Sequence, residues 1–179
     1  MDTKDVSLII AGFGGQGILS AGTLIAYAGM LEGRQVTWLP SYGPEMRGGT
    51  ANCHVIVSRR PIGSPILSKC QVLIVMNAPS LDKFEDMVEP GGMIIADSSL
   101  VDRKPARKDV SCFSVPATRI SSDMGKLIYA NIILMGKLVK ETGIISRESF
   151  ARALEHVLPE KYRKLIPEEM RAFDIGMNS

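Results

Sequence analysis

Apolar and polar positions along the chain alternate between two periods. Residues 6–11, VSLIIA, are an unbroken apolar run, which predicts a strand buried on both faces of a sheet. A cluster of glycines follows at 12–17. Beyond it Ile18, Leu24, Ile25, Ala28 and Leu31 recur at helical spacing, and Gly33 marks the stop. Residues 34–39 read as a second strand. PSYGPEMRGGT, dense in Gly and Pro, reads as loop. In ANCHVIVS the residues Ala51, Cys53, Val55 and Val57 alternate with Asn52, His54 and Ile56, so a third strand is predicted. About ten residues separate it from the strand before, too few for a parallel crossover with its own helix. An antiparallel member of a mixed sheet is therefore expected here.

Residues 71–77 predict a fourth strand, leading through Pro79 to a short helix, SLDKFEDMV. Glu89-Pro90-Gly91-Gly92 reads as a turn, MIIADSS as a strand and 109–118 as another. One long helix is expected over roughly 119–141, with Ile120, Met124, Leu127, Ile128, Asn131, Met135 and Leu138 near one face. Ser146 reads as the N-cap of RESFARALEHVL, and 167–173 as a last short helix. The alternation of strands and helices predicts a three-layer α/β/α, Rossmann-like fold with a mixed, mostly parallel sheet, and residues 1–179 read as a single domain.

Composition changes this picture little. The 179 residues are 45% hydrophobic and 22% charged, as in an ordinary globular protein. A net charge of +2 gives no electrostatic case for nucleic acid or an anionic membrane. No run reaches the length of a membrane span, and the N-terminus lacks the pattern of a signal peptide, so a cytoplasmic protein is expected. Cys53, Cys70 and Cys112 are far apart and read as core thiols, because a cluster takes about four thiolates at closer spacing.

Gly12, Gly14 and Gly17 satisfy G-x-G-x-x-G between a strand and a helix, where backbone N–H groups and the helix dipole favour an anion. Three readings stay open: a dinucleotide site, a tight turn without ligand, and a site for another anion or a docked partner. A dinucleotide site takes an acidic residue at the end of the second strand, and here that strand ends Thr37-Trp38-Leu39-Pro40, with Glu32 ahead of it. The loop after that strand should lie beside the first and project Ser41, Tyr42, Glu45 and Arg47. Arg47 offers a rigid donor fork for phosphate or carboxylate, or a salt bridge to Glu45.

Together, GFGGQG, GPEMRGG, VPAT (115–118) and YANIILMGKL (129–138) resemble, in order and spacing, the gamma chain of the 2-oxoacid:ferredoxin oxidoreductases, and IPEEMRAFDIG fits its ending. The form SYGPEMRGG leans toward the 2-oxoglutarate and 2-oxoisovalerate members. The resemblance implies a subunit without the main catalytic groups in an enzyme that decarboxylates a 2-oxoacid oxidatively, forms an acyl-CoA and passes electrons to ferredoxin. It implies thiamine diphosphate held by alpha and beta chains, and iron–sulfur clusters in beta and in a delta chain or domain. The gamma chain packs on alpha, and ferredoxin is reached indirectly. Coenzyme A is the anion this suggests for the loop. Gly14, Gly15, Gln16, Gly17, Ser41, Tyr42 and Arg47 then form the expected rim facing alpha and the coenzyme A path, with no catalytic or metal-ligating residue. A chain separated from such partners exposes its docking surface, which leaves self-association open.

A stand-alone Rossmann-type nucleotide-binding oxidoreductase is the alternative, and a regulatory domain on the same fold a third. His54 and His156 read as structural or solvated, Asp97-Ser98-Ser99 as a turn or helix cap, and Asn131 as bonded to a neighbouring loop.

Overall fold

The computed structural model describes residues 5–41 and 50–179. Six strands form one sheet: β1 (Val6–Phe13), β2 (Gln35–Ser41), β3 (Thr50–Ser58), β4 (Cys70–Val75), β5 (Val88–Asp97) and β6 (Ser111–Val115), in the order β2-β3-β1-β4-β5-β6. β1, β4, β5 and β6 run parallel, whereas β3 is antiparallel to both β1 and β2, as its short connection demands. β1 buries both faces: Leu8 and Ile10 point into one core, Ile9 and Ala11 into the other.

Among the described residues, six α-helices cover the sheet: α1 (Ile18–Leu31), α2 (Ala78–Phe84), α3 (Ala117–Asp123), α4 (Ala130–Thr142), α5 (Arg147–Val157) and α6 (Ile166–Met177). The layers are unequal. α1, α4, α5 and α6 build the larger core with Leu24, Ile25, Ile133, Leu134, Phe150 and Phe173, where the last two rings stack at 4.3 Å. The other face holds a smaller core in which α2 contributes Leu81 and Phe84.

Several expectations are corrected. The predicted helix over 119–141 is broken. α3 ends at Asp123, Gly125 takes a left-handed φ of 79°, and a turn of 3-10 helix at 127–129 restarts the chain into α4. A left-handed residue cannot continue a right-handed helix, so the face expected to run from Ile120 to Leu138 is not one stripe. Leu127 and Ile128 are consequently each 63% exposed. Residues 89–92 belong to β5 rather than to a separate turn: the register slips between the pairs Cys70/Val88 and Val72/Met93, so the extra residues bulge within the strand. Cys112 is exposed, unlike Cys53 and Cys70. The last helix extends to Met177, well past 173. The expected cap holds: the Ser146 side chain accepts from the Ser149 N–H.

Candidate functional site

The order of the sheet places a topological switch point between β1 and β4, and crevices at such points are where α/β folds hold ligands. The glycine loop leaves β1 there. Gly14 and Gly15 are exposed, while Gly17, with φ of 74°, caps α1. That conformation is one a side chain resists, and Gly17 also lies against Asn131, whose Nδ2 donates to the Gly17 carbonyl at 3.0 Å. Asn131 thus fastens the loop to α4, as its polar place in an apolar helix suggested. Gln16 turns inward. Its Oε1 accepts from the Phe13 N–H at 2.6 Å and its Nε2 donates to the Met76 carbonyl at 3.0 Å, which locks the ends of β1 and β4 together. The amide of Gln16 is therefore committed to the fold. The outward surface of the loop is backbone, and the first turn of α1 carries no acidic residue to compete with an anion.

Ser41 closes β2 and is exposed at the same edge. Tyr42, Glu45 and Arg47 lie outside the described residues. The described residues that flank them lie near the glycine loop: Ser41 pairs with Asn52, and Thr50 pairs with Phe13, two residues from Gly15. Sequence reasoning missed the apolar part of the edge. Leu100, from the turn after β5, joins Leu127 and Ile128 around a cavity of about 380 Å³ that also touches Gly15, Met76 and Thr118. Its signal was Gly125, the residue that breaks the helix.

A second cavity, about 170 Å³, opens on the other flank of the loop, between Gly17, Ser20, Ile128, Asn131, Leu158 and Glu169. Glu169 is 5% exposed, and burial pushes its carboxyl up to about 7 against the pull of the Lys126 charge. Its neighbour Glu168 behaves in the opposite way. It accepts from the Tyr129 hydroxyl at 2.8 Å and pairs with Lys126 at 3.1 Å, and both hold its carboxyl below the ordinary range.

Asp97 proves to be a cap. Fully buried, it accepts from the N–H groups of Ser99 and Thr118, both at 3.1 Å, and from the Thr118 hydroxyl. It thereby holds the start of α3 against the end of β5, a role that explains the threonine of VPAT. His54 accepts from the Leu67 N–H through Nδ1 at 3.3 Å, and burial lowers its pKa. His156 packs on Tyr27 with ring centroids 5.4 Å apart. Cys53 and Cys70 have thiols pushed up to about 12, chiefly by burial, so neither is poised as a thiolate.

The pyruvate ferredoxin/flavodoxin oxidoreductase family model matches residues 7–179. The chain is 39% identical over 174 residues to the ketoisovalerate oxidoreductase subunit VorA of Methanothermobacter thermautotrophicus, covering 96% of this chain and 36% of VorA. It is 37% identical over 155 residues to the 2-oxoglutarate synthase subunit KorC of Methanocaldococcus jannaschii, covering 84% of this chain and 82% of KorC. The chain thus spans about a third of the length of the VorA relatives. Among solved structures, the gamma subunit of the keto/oxoacid ferredoxin oxidoreductase from Geobacter sulfurreducens superposes with a TM-score of 0.82 at 30% identity, covering 97% of this chain and 96% of that one.

Proposed function

Because the chain belongs to the pyruvate ferredoxin/flavodoxin oxidoreductase family, we propose that it is the gamma subunit of a 2-oxoacid:ferredoxin oxidoreductase. In that role it packs on an alpha chain and completes, without catalysing, the oxidative decarboxylation of a 2-oxoacid to an acyl-CoA with transfer of electrons to ferredoxin. The substrate class is 2-oxoglutarate or a branched-chain 2-oxoacid. The supporting likeness is to KorC, which this chain matches across most of both lengths.

Thiamine diphosphate and the clusters belong to the alpha, beta and delta components. The donor set of this chain does not suit a cluster, since Cys53, Cys70 and Cys112 stand in three separate strands. Coenzyme A suits the chain better. Its diphosphate suits the exposed backbone of Gly14 and Gly15 and the start of α1 at Gly17, with Ser41, Tyr42 and Arg47 as further donors. When bound, coenzyme A supplies the thiol that takes the acyl group. Gln16 acts indirectly by holding the loop closed through Phe13 and Met76.

What supports the reading is that the strand ends flanking the two segments share one edge of the sheet, where Phe13 pairs with Thr50. The affinity-tagged chain, purified from its own host, should bring down thiamine- and cluster-bearing chains; recovery alone would overturn the subunit assignment. In the assembled enzyme, Arg47→Ala should raise the KM for coenzyme A and leave that for the 2-oxoacid unchanged. An unaltered KM for coenzyme A would remove Arg47 from the rim.

A further inference from the structure

Glu169 stands apart from every other carboxylate described in the chain's interior. Glu85 is answered by Arg103 at 2.8 Å and by backbone N–H groups, and Asp97 by three donors. Glu169 has no hydrogen-bond partner among the described residues, although only 5% of it is exposed. Burial of a carboxyl without a hydrogen-bond donor disfavours its charged form. The carboxyl lines a cavity rather than filling a packed interior. α1 contributes Ser20 and Leu24 to the walls, α4 contributes Asn131 and Ile132, and the end of α5 contributes Leu158; none of these is charged. Asn131 donates to the Gly17 carbonyl and accepts from the Ile132 N–H. The nearby cation, Lys126, is engaged by Glu168, and the same helix adds exposed Arg171 beyond it. Exposed Ile128, with Leu127 next to it in the chain, gives the rim an apolar side, and exposed Ser20 and Gly15 complete it.

A largely apolar cavity ending in a carboxyl with no hydrogen-bond donor among the described residues matches one kind of group: a long aliphatic stem with a cationic head. We infer that this cavity receives a basic side chain, an arginine or lysine, from another subunit of the enzyme, with its stem against Ile128, Leu24 and Leu158 and its head paired with Glu169. Arginine is the better match, because its weakly hydrated fork pairs a carboxylate in a dry site. Exposed Leu127 and Ile128 then become part of the covered interface rather than a patch left in water. The cavity shares Gly15, Gln16 and Gly17 with the glycine loop, so seating the partner here also fixes one wall of the rim above.

The inference rests on the subunit reading and adds a proton to it. A cation favours the charged form of its partner. Since burial holds the free carboxyl near 7, docking at lower pH must first expel a proton. The test measures binding of the chain to the remaining subunits, purified as a subcomplex from a strain lacking it, by calorimetry between pH 6 and 8. Wild-type affinity should rise about tenfold over that range, with proton release at pH 6 visible as a dependence of the heat on buffer ionisation. Glu169→Gln, which matches the neutral carboxyl in shape, should bind about tenfold more weakly at pH 8 and show no such proton release. Equal affinity of the two proteins at pH 8, or identical proton release at pH 6, would overturn the inference. Failure of the subcomplex to hold even the wild-type chain would instead overturn the subunit reading.

Discussion

At the scale of single residues, the edge of this sheet separates side chains that hold the fold from those that face outward. The amides of Gln16 and Asn131 each donate one hydrogen bond to backbone and accept one from it, at Met76 and Phe13 for one and Gly17 and Ile132 for the other. Glu169 does the reverse: it is buried without such bonds. Its consequence for the free chain is measurable. Burial pushes the folded carboxyl up to about 7 from the ordinary 4.5. Between those values the folded state binds the extra proton, so stability falls as pH rises from about 4.5 to about 7 and is then constant with respect to this group. Glu169→Gln cannot ionise and should lack this loss. The difference in melting temperature, variant minus wild type, should be small at pH 5, grow toward pH 7 and level off above it. Parallel melting curves for the two proteins across that range would show that Glu169 is already answered in the free chain.

At the scale of elements, the positions that matter most are those where two backbones meet. α4 and α6 cross so closely that a Cβ on Gly176 would strike the Ile133 carbonyl, and one on Gly136 would strike that of Phe173. Neither obstacle is a side-chain tip that could swing away. Gly176→Ala should therefore destabilise the chain at the upper end of the ~1–3 kcal/mol typical of overpacking. Chemical denaturation would show it as a lower midpoint at an unchanged slope. A midpoint equal to wild type would mean that the helices cross with room to spare. Most elements were legible in the sequence because their signals are local. The alternation in 51–57 and its short connection gave an antiparallel β3, and Ser146 marked the start of α5. The break between α3 and α4 was less so. Residues 119–141 keep a helical period on both sides of Gly125, and a glycine inside such a pattern is usually tolerated. What decides the matter is tertiary: Ser121 Oγ bonds the Lys126 carbonyl, the Tyr129 N–H donates to Ser121 Oγ, and Asp97 anchors the start of α3 from another strand. The same is true of the 89–92 bulge, whose geometry depends on pairing with β4.

At the scale of the whole molecule, the candidate site is the sum of strand-end segments brought together by topology. The sequence located the glycine loop, since it follows a predicted strand and precedes a predicted helix. It could not locate Glu169 as a wall of the cavity, because α6 is brought to the loop by tertiary packing, chiefly on α4. The architecture also separates this chain from dinucleotide-binding proteins of the same general fold. Strand–glycine loop–helix is shared with them, and β2 lies one strand farther out, with antiparallel β3 inserted between it and β1. In a dinucleotide site the strand next to β1 delivers a carboxylate to the adenosine ribose. Here the neighbour of β1 runs the opposite way, and β2 ends Leu39-Pro40-Ser41. A ribose held above the glycine loop would find a hairpin where it requires a parallel strand end. The chain should therefore show no micromolar affinity for NADH or NADPH. The single tryptophan gives a direct readout. Trp38 packs over Gly22 on α1, one turn into the helix that the loop begins, close enough for energy transfer to a bound nicotinamide. Titration should leave its emission unquenched after correction for absorbance. Saturable quenching at micromolar NADH would mean that the hairpin does not exclude the ribose, and that the loop serves a redox cofactor of its own rather than the coenzyme A of a larger enzyme.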